Sequence, residues 1–359
     1  MNNNNPIRIS YIKNFKKIIL SINSKIEEAI KNLDESKQKI VLICDEKNKF
    51  LGTITDGDIR RGLLKGKNLE STISEIYNKT PYYLEDNFTD VEALDKMINY
   101  KVQHLPIIND KEIIGLITIN NLNTKIELTE NKDNLMIIMA GGKGVRMKPH
   151  TENCPKPLLE ISGKPMLQHI IEKAKDYGFS NFIITTHYLG HMIEEYFGNG
   201  EKLGVKIEYL KEDKPLGTVG ALSLLKNKPI IPFLVTNGDV ISDMNYNEIL
   251  NFHLLNKSDA TMAVRLYEWQ QPFGVVNTDG VDIISFEEKP IIQSQINAGV
   301  YVLNPNCLEH LDFNQECDMP TLFKKLMQNN SKVIAFPIYE KWNDIGRPID
   351  LKFINQENK

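Results

Sequence analysis

The stretch LMIIMAGGKGVRMKPHTENCPKPL, residues 135–158, decides the fold of the larger part of this chain. An apolar run of strand length leads directly into a loop that contains Gly141, Gly142 and Gly144. Because glycine allows left-handed backbone and close approach, several N–H groups of such a loop can face one anion. The spacing matches neither GxGxxG nor GxxxxGK[ST], so the dinucleotide-binding and P-loop motifs both fail. The loop therefore predicts a phosphate site of another type.

Two cations follow the glycines and strengthen this prediction. Arg146 comes directly after the loop, and Lys156 stands ten residues further on between two prolines. Two cations held near a triphosphate can offset the charge that builds on departing pyrophosphate. The alternative, a tight turn with solvated charges, accounts for the glycines but not for the whole string.

Downstream of residue 135, short apolar runs alternate with segments of helical periodicity. The runs are LMIIMA, NFIITTHY, VKIEYL and PFLVTNGD, and the helical segments are Leu167–Tyr177, the surroundings of Ile193, Ala221–Leu225 and Tyr246–Leu255. Strands separated by helix-length segments predict βαβ units. We expect an α/β fold with a Rossmann-like, mostly parallel sheet that is covered on both faces.

The first third of the chain contains an approximate repeat. Residues 39–59 align with residues 104–122, and each copy predicts strand, polar turn, strand and helix start. Residues 87–100 between them have helical periodicity, with Thr89 as the cap. Two copies that cannot bury their apolar faces alone are expected to pack together. We predict a front module of residues 1–125 (copies 7–75 and 76–125), a polar linker 126–134 and a catalytic domain 135–359.

Composition narrows the class of protein. Of 359 residues, 41% are hydrophobic and 25% charged, and the net charge of −4 disfavours nucleic acid as a main partner. Four scattered cysteines without a CxxC pair indicate neither a zinc site nor a disulfide framework, and a reducing cytoplasm fits them best. The N-terminus lacks a signal-peptide pattern and no apolar run is long enough to span a bilayer, so no membrane association is expected.

The string from residue 141 to 166 resembles the signature of the sugar-phosphate nucleotidyltransferases, whose domain is GT-A-like. In that family a nucleoside triphosphate and a sugar 1-phosphate give an NDP-sugar and pyrophosphate by in-line attack, without a protein nucleophile. The resemblance implies that Arg146 and Lys156 neutralise charge, while Asp239 and Asp344 hold Mg²⁺, for which hard oxygen ligands are suited. Asp239 also follows a strongly apolar strand, where open α/β sheets place ligands.

The remaining motifs are assigned by the same resemblance. LGTVGA, residues 216–221, is similar to the base-contacting loop of the guanylyl-transferring branch, which favours GTP and implies nucleotide contacts by Gly217 and Thr218. On the acceptor side it implies that Glu288 bonds sugar hydroxyls and that Lys289 binds the sugar phosphate. Contacts with the sugar are likewise implied for Gly274 and Asn297.

The front repeat resembles a pair of cystathionine-β-synthase-type (CBS, or Bateman) domains, which bind adenine nucleotides in many proteins. The motif GTITDGD implies a regulatory nucleotide site at Thr55 and Asp58, whereas Asn121 replaces the acid in the second copy. A structural or dimerising role is the alternative, because such repeats stack across two chains, and we expect a homo-oligomer.

The two parts together resemble proteins of bacterial pathways to nonulosonic acids such as legionaminic acid, where the acceptor is glucosamine 1-phosphate. Mannose- or heptose-1-phosphate guanylyltransferase and a UTP-, TTP- or CTP-using enzyme are alternatives. A catalytically silent nucleotide sensor is the non-enzyme alternative.

Overall fold

The computed structural model describes residues 8–12, 14–36, 38–100, 102–120 and 132–357. The chain divides into two units, Met1–Glu127 and Leu128–Lys359. Asn121, and residues 126–131 of the predicted linker, lie outside the described residues.

The front unit is an α/β structure with two small sheets. Its strands are β1 (Arg8–Tyr11), β2 (Ile19–Ser21), β3 (Val41–Cys44), β4 (Phe50–Ile54), β5 (Leu84–Glu85), β6 (His104–Asn109) and β7 (Glu112–Asn120). Its helices are α1 (Ile26–Ser36), α2 (Asp56–Leu64) and α3 (Asp90–Tyr100). The sheet orders are β2-β3-β4 and β1-β7-β6-β5.

The repeat predicted from the sequence has a structural counterpart. In the first copy β2 runs parallel to β3, which is antiparallel to β4, and β5, β6 and β7 of the second copy pair in the same way. Each copy also has a register shift in its first hairpin strand, at Ile43/Cys44 and at Ile107/Ile108. The helix α3, between β5 and β6, begins where its cap was predicted, since the N–H of Glu92 donates to Oγ1 of Thr89 (3.2 Å).

The second unit is built around a seven-stranded sheet. Its strands are β8 (Met136–Met139), β9 (Glu160–Ile161), β10 (Lys164–Pro165), β11 (Asn181–Thr186), β12 (Lys206–Lys211), β13 (Phe233–Asn237), β14 (Val240–Ser242), β15 (Ala260–Gln270), β16 (Val275–Asp279), β17 (Asp282–Glu287), β18 (Ile291–Leu303), β19 (Val333–Ile338) and β20 (Trp342–Asp344). Its helices are α4 (Met166–Asp176), α5 (Gly190–Phe197), α6 (Tyr246–Leu255), α7 (Met319–Gln328) and α8 (Pro348–Glu357).

The large sheet has the order β12-β11-β8-β13-β18-β15-β19. Its first four strands are parallel, β18 is antiparallel to both of its neighbours, and β15 is parallel to β19. Met136 and Ile138 of β8 pack in one apolar cluster, whereas Ile137 packs in another on the opposite face. A strand buried on both faces reads as a continuous apolar run, so the mostly parallel, doubly covered α/β fold is confirmed.

One predicted helical segment is not a regular α-helix. Of Ala221–Leu225, the first four residues belong to the 3₁₀ helix Gly220–Leu224, and Leu225 is already extended. With Pro229 close behind, no regular helix can propagate from so short a nucleus. Among the helices that the structure describes, none combines the length and apolarity needed to cross a bilayer.

Candidate functional site

A cavity of about 380 Å³ opens at the carboxyl ends of the parallel strands. β8 ends at Met139 before the glycine loop, β13 ends at Asn237 before Asp239, and Glu212 follows β12. Because neighbouring parallel strands all end at this edge, three loops distant in sequence meet here. The cavity lining contains eight of the predicted site residues: Gly141, Gly142, Gly144, Arg146, Lys156, Gly217, Thr218 and Asp239.

The glycine loop is shaped by what surrounds it. Gly144 has a φ of +59°, and a Cβ there would lie 3.0 Å from Thr151 and 3.1 Å from Lys156. The hydroxyl of Thr151 donates to the carbonyl oxygen of Gly144 (2.9 Å) and holds the turn. A Cβ on Gly142, by contrast, would have no atom within 4 Å, so the backbone there faces open space. The loop thus presents main chain to the cavity, as an anion site requires.

Lys156 and Asp239 form an ion pair in the cavity wall. Nζ of Lys156 lies 2.5 Å from Oδ2 of Asp239, and the lysine side chain is only 9% exposed against 29% for the aspartate. A lysine this buried needs a partner. The cavity wall thus contains one cation and one anion that the sequence predicted as site residues.

Asp344 is brought to the same place by the short pair β14–β20, in which it lies opposite Val240. The N–H of Ile345 donates to the carbonyl oxygen of Asp239 (3.2 Å), which fixes the two segments together. Burial and then repulsion from Asp239 raise the pKa of Asp344, while Lys156 and Arg146 oppose that rise. Two repelling carboxylates next to two cations form an ionic cluster rather than a set of surface charges.

These two carboxylates fit Mg²⁺. No group of three or more His, Cys, Asp or Glu with metal-binding geometry occurs among the residues the structure describes. Mg²⁺, however, is commonly held by one or two carboxylates, waters and substrate phosphates rather than by an all-protein cage. Hard oxygens on Asp239 and Asp344, whose mutual repulsion a divalent cation would relieve, meet that requirement.

The loop 216–221 forms the opposite wall and is fixed to helix α7. Gly217 has a φ of +77°, and a Cβ there would lie 2.7 Å from the carbonyl oxygen of Cys317. The N–H of Thr218 donates to Oδ1 of Asp318 (3.1 Å), and the N–H of Met319 donates to the Thr218 hydroxyl (2.8 Å). Thr218 therefore lines the cavity while its hydroxyl already has a partner at the start of α7.

Two further polar residues of this site were not singled out from the sequence. Glu212 is buried, accepts the N–H of Leu216 at Oε2 (3.0 Å), and burial raises its pKa. A Cβ on Gly141 would lie 2.5 Å from Oε1 of Glu212, so this side chain contacts both the glycine loop and the loop 216–221. Oδ1 of Asn237 is buried and has no hydrogen-bond partner among the described residues. The sequence signal that could have found them is their position, since Glu212 directly follows a parallel strand and Asn237 ends one.

The predicted acceptor-side residues do not line this cavity. Gly274, Glu288 and Lys289 are exposed and flank the hairpin β16–β17. Glu288 and Gly274 do come together, since Oε2 of Glu288 would lie 3.1 Å from a Cβ on Gly274. Asn297 is on β18, where its amide donates to the hydroxyl of Tyr301 (2.7 Å).

In the front unit, Thr55 and Asp58 bond to each other at the start of α2. Oδ2 of Asp58 accepts from the N–H and the hydroxyl of Thr55 (2.8 and 2.7 Å). Oδ1 of Asp58 accepts from Arg61 (2.6 Å). The two side chains thus form a capping box, and both carboxylate oxygens are already engaged.

Two family models match the two units of this chain. The nucleotidyl transferase family model matches residues 135–359, and the CBS domain model matches residues 12–65 and 73–127. A probable mannose-1-phosphate guanylyltransferase 1 from Oryza sativa subsp. japonica is 33% identical over 60% of this chain and 62% of its own length. A mannose-1-phosphate guanyltransferase from Yarrowia lipolytica is 35% identical over 60% of this chain and 61% of its own length. The chain thus spans under two thirds of these relatives.

A similar fold occurs in solved structures. HddC from Yersinia pseudotuberculosis, also solved in complex with GMP-PN, has a TM-score of 0.50 and 25% identity, over 63% of this chain and all of its own. A putative glucose-1-phosphate thymidylyltransferase from Bacillus anthracis has a TM-score of 0.51 and 24% identity, over 62% of this chain and 94% of its own. With its family model matched from β8 to the last residue, this chain belongs to the nucleotidyl transferase family.

Proposed function

We propose that this protein transfers a nucleoside monophosphate from a nucleoside triphosphate to a sugar 1-phosphate, releasing pyrophosphate. The observation that carries the proposal is the ionic cluster of Lys156, Asp239 and Asp344 beside a glycine loop with exposed backbone. An anion-binding loop and a charge-neutralising cluster at one end of a cleft are what transfer between two mutually repelling anions needs. The presence in the sequence of every expected cationic and metal-binding residue, Arg146, Lys156, Asp239, Lys289 and Asp344, also argues against a catalytically silent sensor.

In this mechanism the protein positions the two substrates and neutralises the charge of their phosphates. Backbone N–H groups of the glycine loop bind the triphosphate, and Arg146 and Lys156 balance the charge that grows on the leaving pyrophosphate. A phosphate oxygen of the sugar 1-phosphate attacks the α-phosphorus in line, the bond to the bridging oxygen breaks, and pyrophosphate leaves. Asp239 and Asp344 would hold Mg²⁺, which lowers the repulsion between the reacting phosphates when bound.

Guanine is the base that the wall of the cavity favours. Its Watson–Crick edge carries two adjacent donors, N1–H and the N2 amino group, whereas a carboxylate only accepts. Glu212 supplies such a carboxylate next to the loop 216–221, and a partly desolvated charge makes a stronger hydrogen bond. The relatives named above are guanylyltransferases, and the HddC complex contains a guanosine analogue, which supports GTP as the donor.

For the acceptor we propose a hexose 1-phosphate that contacts Glu288, Lys289, Gly274 and Asn297. The names of the relatives favour mannose 1-phosphate. Glucosamine 1-phosphate is the second candidate. The relatives cover only 60% of this chain, and the glucosamine hypothesis rests on the combination of the transferase unit with a front CBS pair. The front pair is proposed to bind an adenine nucleotide at Thr55 and Asp58.

The test is a matrix of substrates. Purified full-length protein is incubated with Mg²⁺, each of GTP, UTP, dTTP and CTP, and mannose, glucosamine, glucose or heptose 1-phosphate, and pyrophosphate release is followed. We expect turnover with GTP and one hexose phosphate. No release from any pair refutes the transferase proposal, whereas a preference for another triphosphate refutes the guanine assignment alone.

A further inference from the structure

An apolar projection extends from the edge of the catalytic unit. We call it the arm and define it as the outer parts of β15 and β18 (residues 267–270 and 291–294) with the hairpin β16–β17. The pairing of β15 with β19 ends at Arg265, and that of β18 with β13 begins only at Val300. Beyond these points β15 and β18 form a two-stranded ribbon without further neighbours in the described sheet. An isolated two-stranded ribbon is marginally stable in water.

The hairpin of the arm has one polar and one apolar face. On the first, the amide of Asn277 donates to the hydroxyl of Ser285 (3.0 Å) and to Oε1 of Glu287 (3.1 Å). On the second, Val276 lies opposite Phe286, and these side chains are 48% and 72% exposed. Directly paired residues share a face of an antiparallel ladder. The apolar face is therefore segregated from the polar face and is open to solvent.

The outer ribbon repeats this segregation. Trp269 lies opposite Ile292, and they are 42% and 38% exposed. On the other face Gln293 donates to Oε1 of Glu268 (2.6 Å). Charged and amide side chains thus dominate one side, which also carries Ile291 opposite Gln270, while the other side carries an aromatic ring and a branched aliphatic chain. Depletion of charge around exposed aromatic residues is typical of the core of an interface.

The exposed apolar area is large enough for a stable dimer. Without Ile291, which lies on the polar face, eight large apolar side chains of the arm are exposed by more than a third. At about 100 Å² each they present on the order of 800 Å², against about 300–600 Å² for the largest patch of a typical monomer. About 800 Å² per partner is the standard size of a specific interface.

We propose that the arm is a dimerisation surface and that its partner is the arm of a second copy of this chain. A two-fold axis brings the same apolar face from both copies together, which is the commonest arrangement of soluble homo-oligomers. The polar faces, with Glu268 and Glu287, then remain in water. Contact with the second copy also supplies the packing that the two-stranded ribbon lacks.

The experiment combines sedimentation velocity with hydrogen exchange of the full-length protein over a dilution series. We expect a dimer whose β16–β17 amides are protected, and protection that is lost on dilution together with the dimer. The double variant Val276→Glu/Phe286→Glu should raise the dissociation constant at least about 100-fold, about tenfold for each core residue. The matched control, Ile230→Glu/Leu255→Glu, changes two exposed apolar residues away from the arm and should leave the dimer intact.

Three results overturn the proposal. One is a wild-type monomer at 50 µM, on the order of a weak interface's dissociation constant. Another is a dimer in which the arm amides exchange as fast as in the double variant, since contact then lies elsewhere, for instance in the front unit. The third is a monomer with protected arm amides, because the arm then packs on its own chain. The dilution series uses only the wild-type protein, so a variant that fails to fold does not weaken the test.

Discussion

Replacing Lys156 by methionine is the sharpest perturbation of the proposed site. Methionine has a similar length and an apolar body but no charge, so the cavity keeps its shape. Nζ of Lys156 lies 2.5 Å from Oδ2 of Asp239 in a largely buried position. The substitution removes the cation that offsets charge on the leaving pyrophosphate and leaves the acidic pair without its nearest counter-charge.

The expected loss follows from the charge and its distance. A phosphate oxygen about 5 Å from the ammonium, at an effective dielectric constant of about 20, interacts with it by about 3 kcal/mol. If that interaction is made mainly in the transition state, kcat falls about 150-fold. Folding should suffer much less, by about 1 kcal/mol, because the remaining carboxylate of Asp239 is partly exposed and can be hydrated.

A second readout separates this role from simple damage. Lys156 lowers the pKa of Asp344, so its removal should raise that pKa further and move the acid limb of the pH–rate profile to higher pH. Pyrophosphate release, the pH profile and the melting temperature are compared with those of Lys164→Met, which breaks the surface pair with Glu172 (2.8 Å). Turnover within threefold of wild type, or equal effects of the two variants, refutes the reasoning.

Four further predictions test other parts of the molecule. Asp239→Asn should reduce turnover at least about 1,000-fold and weaken Mn²⁺ binding measured by electron paramagnetic resonance; undiminished metal binding contradicts the assigned ligand. Glu212→Gln should lower kcat/KM for GTP about 100-fold and the value for UTP much less, because an amide places a donor against the guanine donors; equal losses would remove the base-reading role. Burial lowers the pKa of His253, whose ring bonds to the hydroxyl of Thr261 (2.9 Å). The neutral ring therefore stabilises the fold fully above about pH 6.5, and this stabilisation is lost as the pH falls through the lowered pKa. Thermal unfolding of His253→Gln should lack this part of the pH dependence, and parallel curves of melting temperature against pH for the variant and the wild type argue against this role. Asp58→Ala should abolish any response of turnover to added AMP or ATP and lower the melting temperature slightly through the lost cap; an unchanged response places the regulatory site elsewhere.

The fold was predictable because its signals are local. An apolar run before three glycines, and later runs alternating with helical periodicity, determine the strands and their parallel arrangement. The front repeat was visible for the same reason, since each copy repeats its own strand-turn-strand pattern. The 3₁₀ form of Gly220–Leu224 was missed because so short an apolar run does not record whether a helix propagates beyond its nucleus.

The site was predictable only in part. The glycine-loop string predicted Lys156 and a motif after an apolar strand predicted Asp239, and the structure brings the two side chains together. Glu212 carries no motif of its own, because its relevance comes from its burial against Gly141 and Leu216. Likewise, Thr55 and Asp58 matched a nucleotide motif, yet the structure engages both in a helix cap, a role that the same two residue types can fill.

The sequence by itself thus determined the doubly covered α/β sheet, the glycine loop and the charged residues that follow it. Each of these features depends on a pattern of residues that are close together along the chain. Only the tertiary structure decided which of those residues share a cavity. It placed Gly274, Glu288 and Lys289 outside that cavity, exposed beside the hairpin β16–β17, and it joined Asp344 to Asp239 through a two-stranded pair. The physical reason is that charge interactions and burial depend on distances through space, which long-range strand pairing sets and which spacing along the chain does not record.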